Sequence, residues 1–134
     1  MSALTLETLL DEKAIQRLLT RYGYVNDAGD YEALVALFTA DGALVRPTAP
    51  DEPIVGREAI LATMRARPPR KARHLVCNVE IDVIDATQAR ARSTMVLISA
   101  TEAGKEVSVG GFDDEIVKQD GIWLFASRTG STSI

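Results

Sequence analysis

Between Thr5 and Asn26 the apolar residues Leu6, Leu9, Leu10, Ile15, Leu18, Leu19, Tyr22 and Val25 recur at the spacing of one buried helix face. The pattern predicts an amphipathic helix with a break near Asp11. Gly29 supplies the stop, since glycine enters the left-handed conformation of a helix C-cap without a steric penalty. Asp30 is then an N-cap candidate for a second helix, Tyr31 to Phe38, with Leu34, Leu37 and Phe38 on its apolar side. Asp41-Gly42 reads as a turn and residues 43–46 as a short strand. Three of the five prolines fall in residues 47–55, which read as a loop. A third helix runs from about Gly56 to Ala66, with Ile60, Leu61 and Met64 inward, and Pro68-Pro69 ends it because proline lacks the amide donor.

Beyond this point the period changes to that of strands. Residues 74–84, 89–101, 106–118 and 122–128 alternate or run apolar, with short polar spacers between them. Such spacers join antiparallel neighbours, because a parallel crossover needs a dozen or more residues. Helices followed by a long-stranded meander give an α+β fold with helices on one face of a curved sheet. In the first long strand, Leu75, Cys77, Val79, Ile81 and Val83 share one face, while His74, Val76, Asn78, Glu80 and Asp82 share the other. Helices covering one side of the sheet leave the other side to be covered, which predicts a homodimer.

The chain has 134 residues, so one domain spanning 1–134 is expected. Its hydrophobic fraction of 46% and charged fraction of 25% suit a globular core. A formal net charge of −4 speaks against nucleic acid as a partner. The single Cys77 has no intramolecular disulfide partner. No apolar run is long enough to span a membrane, and the first residues lack the basic start and apolar centre of a secretion signal, so a cytoplasmic location is expected.

Chemistry-bearing residues are few. His74 is the only histidine and stands where a basic loop enters the first long strand; it is either a proton acceptor near neutral pH or a structural residue. Asp27 lies at the C-terminal end of the first helix, where the dipole disfavours an anion, so it is either solvated or held by a cation. Tyr22 sits on the apolar stripe as core, or turns its hydroxyl into a cavity. Arg128 ends the last strand; a turn centred on Asp120-Gly121 puts Phe112 roughly opposite it and Asp114 on its face, the arrangement of a salt bridge. Arg65, Arg67, Arg70, Lys71 and Arg73 form a basic cluster, read as a solvated loop or a steering patch for an anion. Neither metal-ligand spacing nor a phosphate-binding glycine loop is present, so no metal and no cofactor are expected.

Several segments in order resemble the SnoaL-like branch of the nuclear-transport-factor-2 (NTF2-like) superfamily. They are Ala14-Ile15-Gln16 with Arg21-Tyr22 and Asp27; Gly29-Asp30-Tyr31 with Ala36-Leu37-Phe38; Gly56-Arg57-Glu58-Ala59-Ile60; Arg73-His74-Leu75-Val76-Cys77-Asn78-Val79; and Asp114-Glu115 with Asp120-Gly121-Ile122-Trp123. The resemblance implies a cone: a strongly bent antiparallel sheet wrapped around three N-terminal helices, with an apolar pocket between them. The group includes scytalone dehydratase, hexachlorocyclohexane dehydrochlorinase, bile-acid dehydratases, polyketide cyclases and ketosteroid isomerases. By resemblance to the dehydrochlorinase, Asp27 and His74 form a catalytic dyad, Arg128 joins the site, and Met95, Leu97 and Phe112 line the pocket. Tyr22 corresponds to a tyrosine of the bile-acid dehydratases. Departures are also visible: those dehydratases carry an aspartate at the position of Leu97, and the dehydrochlorinase lacks a tyrosine at that of Tyr22. The implied function is a cofactor-free lyase or isomerase acting on a small apolar, cyclic molecule; the alternative is a ligand-binding or assembly protein of the same fold.

Overall fold

The computed structural model describes residues 4–134; Met1, Ser2 and Ala3, part of the segment read for a secretion signal, lie outside the described residues. Three helices and six strands follow in the order α1 (Leu6–Ala28), α2 (Tyr31–Val35), β1 (Phe38–Val45), β2 (Ile54–Val55), α3 (Arg57–Arg65), β3 (Ala72–Val83), β4 (Gln88–Thr101), β5 (Gly104–Gln119) and β6 (Ile122–Thr132). The strands form one sheet in the order β2-β1-β6-β5-β4-β3. All pairs are antiparallel except β1 with β6, which run parallel. The α+β class and the NTF2-like architecture therefore stand as read from the sequence.

Helix α1 is continuous through Asp11. Rather than breaking the helix, Asp11 is buried and accepts hydrogen bonds from the Trp123 indole (3.0 Å) and the Lys118 ammonium (3.3 Å). That ties the first turns of α1 to the β5–β6 hairpin with a satisfied polar contact. The buried stripe begins there and continues through Ile15, Leu18, Leu19, Tyr22 and Val25, while Leu6, Leu9 and Leu10 are exposed. Gly29 caps the helix in the left-handed region (φ 71°), and the Asp30 carboxylate accepts the Ala33 amide to start α2.

α2 is shorter than the apolar pattern suggests, because Phe38 already belongs to β1. Asp41-Gly42 lies inside β1 at an irregularity against β6. A Cβ on Gly42 would stand 3.0 Å from the Phe38 Cβ and 3.1 Å from the Phe125 carbonyl oxygen. The glycine there answers a close backbone approach rather than a hairpin turn. From α3, Arg57 donates through Nε and Nη2 to the Phe38 carbonyl at 2.9 and 2.6 Å, fixing that helix on β1.

Two bulges correct the expected strand faces. Asn78 has φ 51°, and the β3–β4 register shifts between Cys77 and Glu80. Upstream of it Ala72, His74 and Val76 turn inward; downstream Val79, Ile81 and Val83 do. Leu75 and Cys77 are thus on the opposite side from Val79, contrary to uninterrupted alternation. In β6 the register shifts at Ala126, so Arg128 pairs with Asp114 and Gly130 with Phe112. The uncorrected count had placed Phe112 opposite Arg128.

Candidate active site

His74 and Asp27 meet where α1 ends against the start of β3. Asp27 is the last residue but one of α1, and its carboxylate reaches across to β3 twice. One oxygen accepts the His74 backbone amide at 3.0 Å; the other lies 2.6 Å from His74 Nδ1. The side chains are 8% (His74) and 10% (Asp27) exposed, so water competes little for this contact. An ionised carboxylate only accepts, so Nδ1 carries the proton and Nε2 is left as the basic nitrogen. The backbone contact fixes the carboxylate, and the carboxylate fixes the ring.

Burial pushes the His74 pKa below its ordinary value of 6.5. The hydrogen bond and charge of Asp27 pull it upward, while Arg70 and Arg67 push it further down. Desolvation wins, leaving a neutral imidazole at pH 7.

His74 is part of the wall of a cavity of about 210 Å³ between α1, α3 and the sheet. Its apolar lining comes from Leu44, Met64, Met95, Leu97 and Phe112. Tyr22, Asn26, Ser108 and Thr132 add polar atoms, and Arg46, Arg67 and Arg70 add positive charge. Of the residues singled out from the sequence, Tyr22, His74, Met95, Leu97 and Phe112 border this cavity together. Asp27 does not; it faces a neighbouring cleft that shares His74, Arg67 and Arg70 with the cavity. A larger depression of about 780 Å³ lies on the other face of the sheet, crossed by the surface pairs Glu80–Arg92 and Arg90–Glu115.

Arg128 stands one layer behind the cavity wall, with no exposed surface. Its guanidinium carbon lies 3.6 Å from the centre of the Phe112 ring, 4.3 Å from Tyr22 and 4.7 Å from Phe125. Its Nε is 3.2 Å from the equally buried Asp114 carboxylate, in ion contact without the alignment of a hydrogen bond. Burial raises the Asp114 pKa to about 6, against the opposing pull of Arg128. Burial likewise lowers Arg128 and raises Tyr22. Arg128 therefore touches the cavity only through the two rings it braces.

The SnoaL-like domain pattern matches residues 7–129, nearly the whole chain. The protein belongs to the SnoaL-like family. Among solved structures, this SnoaL-like chain is similar to a provisionally named scytalone dehydratase from Novosphingobium aromaticivorans, at 30% identity and a TM-score of 0.87 over 98% of this chain and 89% of that one. A protein of unknown function from Mycobacterium tuberculosis is also 30% identical, with a TM-score of 0.83 over 93% and 77% of the two chains. A Catenulispora acidiphila protein solved in complex with S-DNPA is 25% identical, with a TM-score of 0.81 over 92% and 94%. Comparison with curated proteins gives no match.

Some cavity residues carried a sequence signal and some did not. Arg67 and Arg70 belonged to the visible basic cluster. Arg46, Asn26, Ser108 and Thr132 had none: each is an ordinary polar residue until the sheet curls and brings them together. Among the described residues no group of three or more His, Cys, Asp or Glu side chains is placed to hold a metal ion, and no helix is long and apolar enough to cross a membrane.

Proposed function

We propose that this SnoaL-like protein is a cofactor-independent lyase or isomerase of the dehydratase, elimination or cyclase type. Its substrate is a small molecule with an apolar ring, taken into the 210 Å³ cavity. The observation that carries the reading is the 2.6 Å contact of Asp27 with Nδ1 of a cavity-wall histidine. Asp27 holds the tautomer and stabilises the imidazolium as it forms, and Nε2 removes a proton from carbon or from a hydroxyl. The Tyr22 hydroxyl donates to the developing negative charge. Arg128 acts as a positioning residue, bracing Tyr22 and Phe112 from behind. The same cavity without turnover would make a ligand-binding protein, a reading favoured by the S-DNPA complex of the Catenulispora relative.

The single histidine gives an unambiguous NMR titration, which tests the dyad without a known substrate. In Asp27→Asn, loss of the carboxylate charge should take the His74 pKa below that of the wild type. An identical titration in the two proteins would remove the dyad and leave the binding-protein reading.

We also propose that the outer face of the sheet pairs two copies of the chain, each one domain. Leu75 of β3, Val96 of β4 and Val109 of β5 are cross-strand neighbours there, flanked by Ile98 and Val107. Leu75 is 50% and Val107 64% exposed in the isolated chain. A row of this kind is more apolar than a lone chain ordinarily presents to water. Sedimentation at tens of micromolar protein should give twice the chain mass, and Val107→Glu should return it to that of one chain; a wild-type protein sedimenting at single-chain mass would contradict the pairing.

A further inference from the structure

The cavity bordered by His74 has three arginines in its lining and no carboxylate. One of them is committed: Arg67 donates to the Asn26 side chain at 2.7 Å and to the Tyr31 hydroxyl at 3.2 Å, and lies over the Tyr31 ring. The other two are not. Among the described residues, neither Arg46 nor Arg70 has an ion pair or a side-chain hydrogen bond, and Arg46 Nε is buried without a partner. Surface arginines often go unpaired because water satisfies them. A guanidinium nitrogen shut away from water and facing no acceptor is a different case, since buried polar groups are ordinarily bonded. The buried carboxylates Asp11 and Asp27 each have two donors, and Arg128, though without an aligned hydrogen bond, at least has the Asp114 carboxylate as counter-charge.

Local charge is consistent with an acceptor coming from outside. Asp27 is spent on His74, from the neighbouring cleft, and Arg67 and Arg70 lie close enough to His74 to disfavour its protonation. The site is therefore electropositive around a neutral base. Guanidinium forks match the two oxygens of a carboxylate, and the apolar part of the same lining suits a ring.

We infer that the cavity's ligand is an organic anion, a ring-bearing carboxylate whose charged end is taken by Arg46 and Arg70 while its ring packs on Met95, Leu97 and Phe112. This deepens the proposed function and rests on it, since it names the class of molecule that the same cavity admits. The volume of about 210 Å³ restricts the ring system to something small. An anion anchored at the arginines presents its other end to His74, so the charge serves to orient the substrate rather than to react.

Benzoate and benzamide, equal in shape and different in charge, are the probes. Calorimetric titration of the wild type should show benzoate binding about tenfold or more tightly than benzamide, the difference expected for hydrogen bonds to a charged group. The preference should shrink as salt is added. In the double variant Arg46→Gln with Arg70→Gln the preference should disappear while benzamide binding persists, the latter showing that the cavity has kept its shape. Equal binding of the two probes, or a preference that survives the double substitution, would overturn the inference and leave the His74 proposal standing. Inorganic phosphate displacing benzoate at equal concentration would overturn the carboxylate assignment. Binding of neither probe would also overturn it, and the His74 titration in Asp27→Asn, which needs no ligand, then decides separately whether the dyad survives.

Discussion

Asp114→Ala is expected to destabilise the protein by about 3–5 kcal/mol, the cost of removing one partner from a buried ion pair. Arg128 would be left without exposed surface and without a counter-charge, its only remaining company three aromatic rings. Those rings attract the cation, and a desolvated cation–π contact is worth about 2 kcal/mol, but they cannot accept its hydrogen bonds in the plane of the guanidinium. The pair itself is not a strong source of stability. The fold raises the Asp114 carboxyl from 3.8 to about 6. A carboxyl whose pKa is higher in the folded state binds its proton more tightly there, so its own contribution falls as pH rises from 3.8 toward 6. The double variant Asp114→Leu with Arg128→Met should accordingly recover most of what Asp114→Ala loses. Urea unfolding of the three proteins checks this; a double variant as unstable as Asp114→Ala would show that the guanidinium itself, not its pairing, holds the aromatic cluster.

His74→Ala is expected to lower kcat/KM for a true substrate by about 10²–10⁴, the ordinary contribution of a positioned general base. Most of the loss should appear in kcat, because the imidazole works on a proton in transit while the ring of the substrate is held elsewhere in the cavity. The wild-type profile should be flat at neutral pH and fall on the acid side below 6.5, since burial lowers the His74 pKa and only the neutral ring accepts a proton. Asp27→Asn should lower the plateau and displace this acid limb to still lower pH: the ring loses both its orienting carboxylate and the charge that favours protonation. Turnover within a few-fold of wild type in His74→Ala would sink the mechanism.

Much of this architecture was legible because it rests on local rules. The apolar spacing from Ile15 to Val25, the Gly29 stop and the Asp30 cap are each decided by a few neighbouring residues, and each appears in the structure. Asp11 misled because a polar residue on an apolar stripe suggests a break, whereas its partners, Trp123 and Lys118, are more than a hundred positions away. Asp41-Gly42 misled for a related reason. The dipeptide suits a turn, but what it satisfies is the close passage of Phe125. For the site, the resemblance brought Asp27, His74 and the apolar lining to notice, and the coordinates put five of the named residues around one cavity. The free arginines could not have been found that way. Whether an arginine has a partner depends on which carboxylates the fold brings near it, and sequence spacing does not contain that.

The Asn78 bulge gives β3 a rule of parity that changes along its length. Before it, even-numbered positions face the interior, and His74 is one of them; after it, odd-numbered positions do. Positions 73, 75 and 77 therefore point away from the interior, while 79, 81 and 83, identical in a simple period-two count, pack against the core. A homologous sequence without the extra residue, aligned with its gap ahead of position 74 instead of at Asn78, would have positions 74–77 shifted by one, setting Leu75 against the residue that matches His74. In this strand, where an alignment places its insertion matters more to a functional assignment than how many residues it matches.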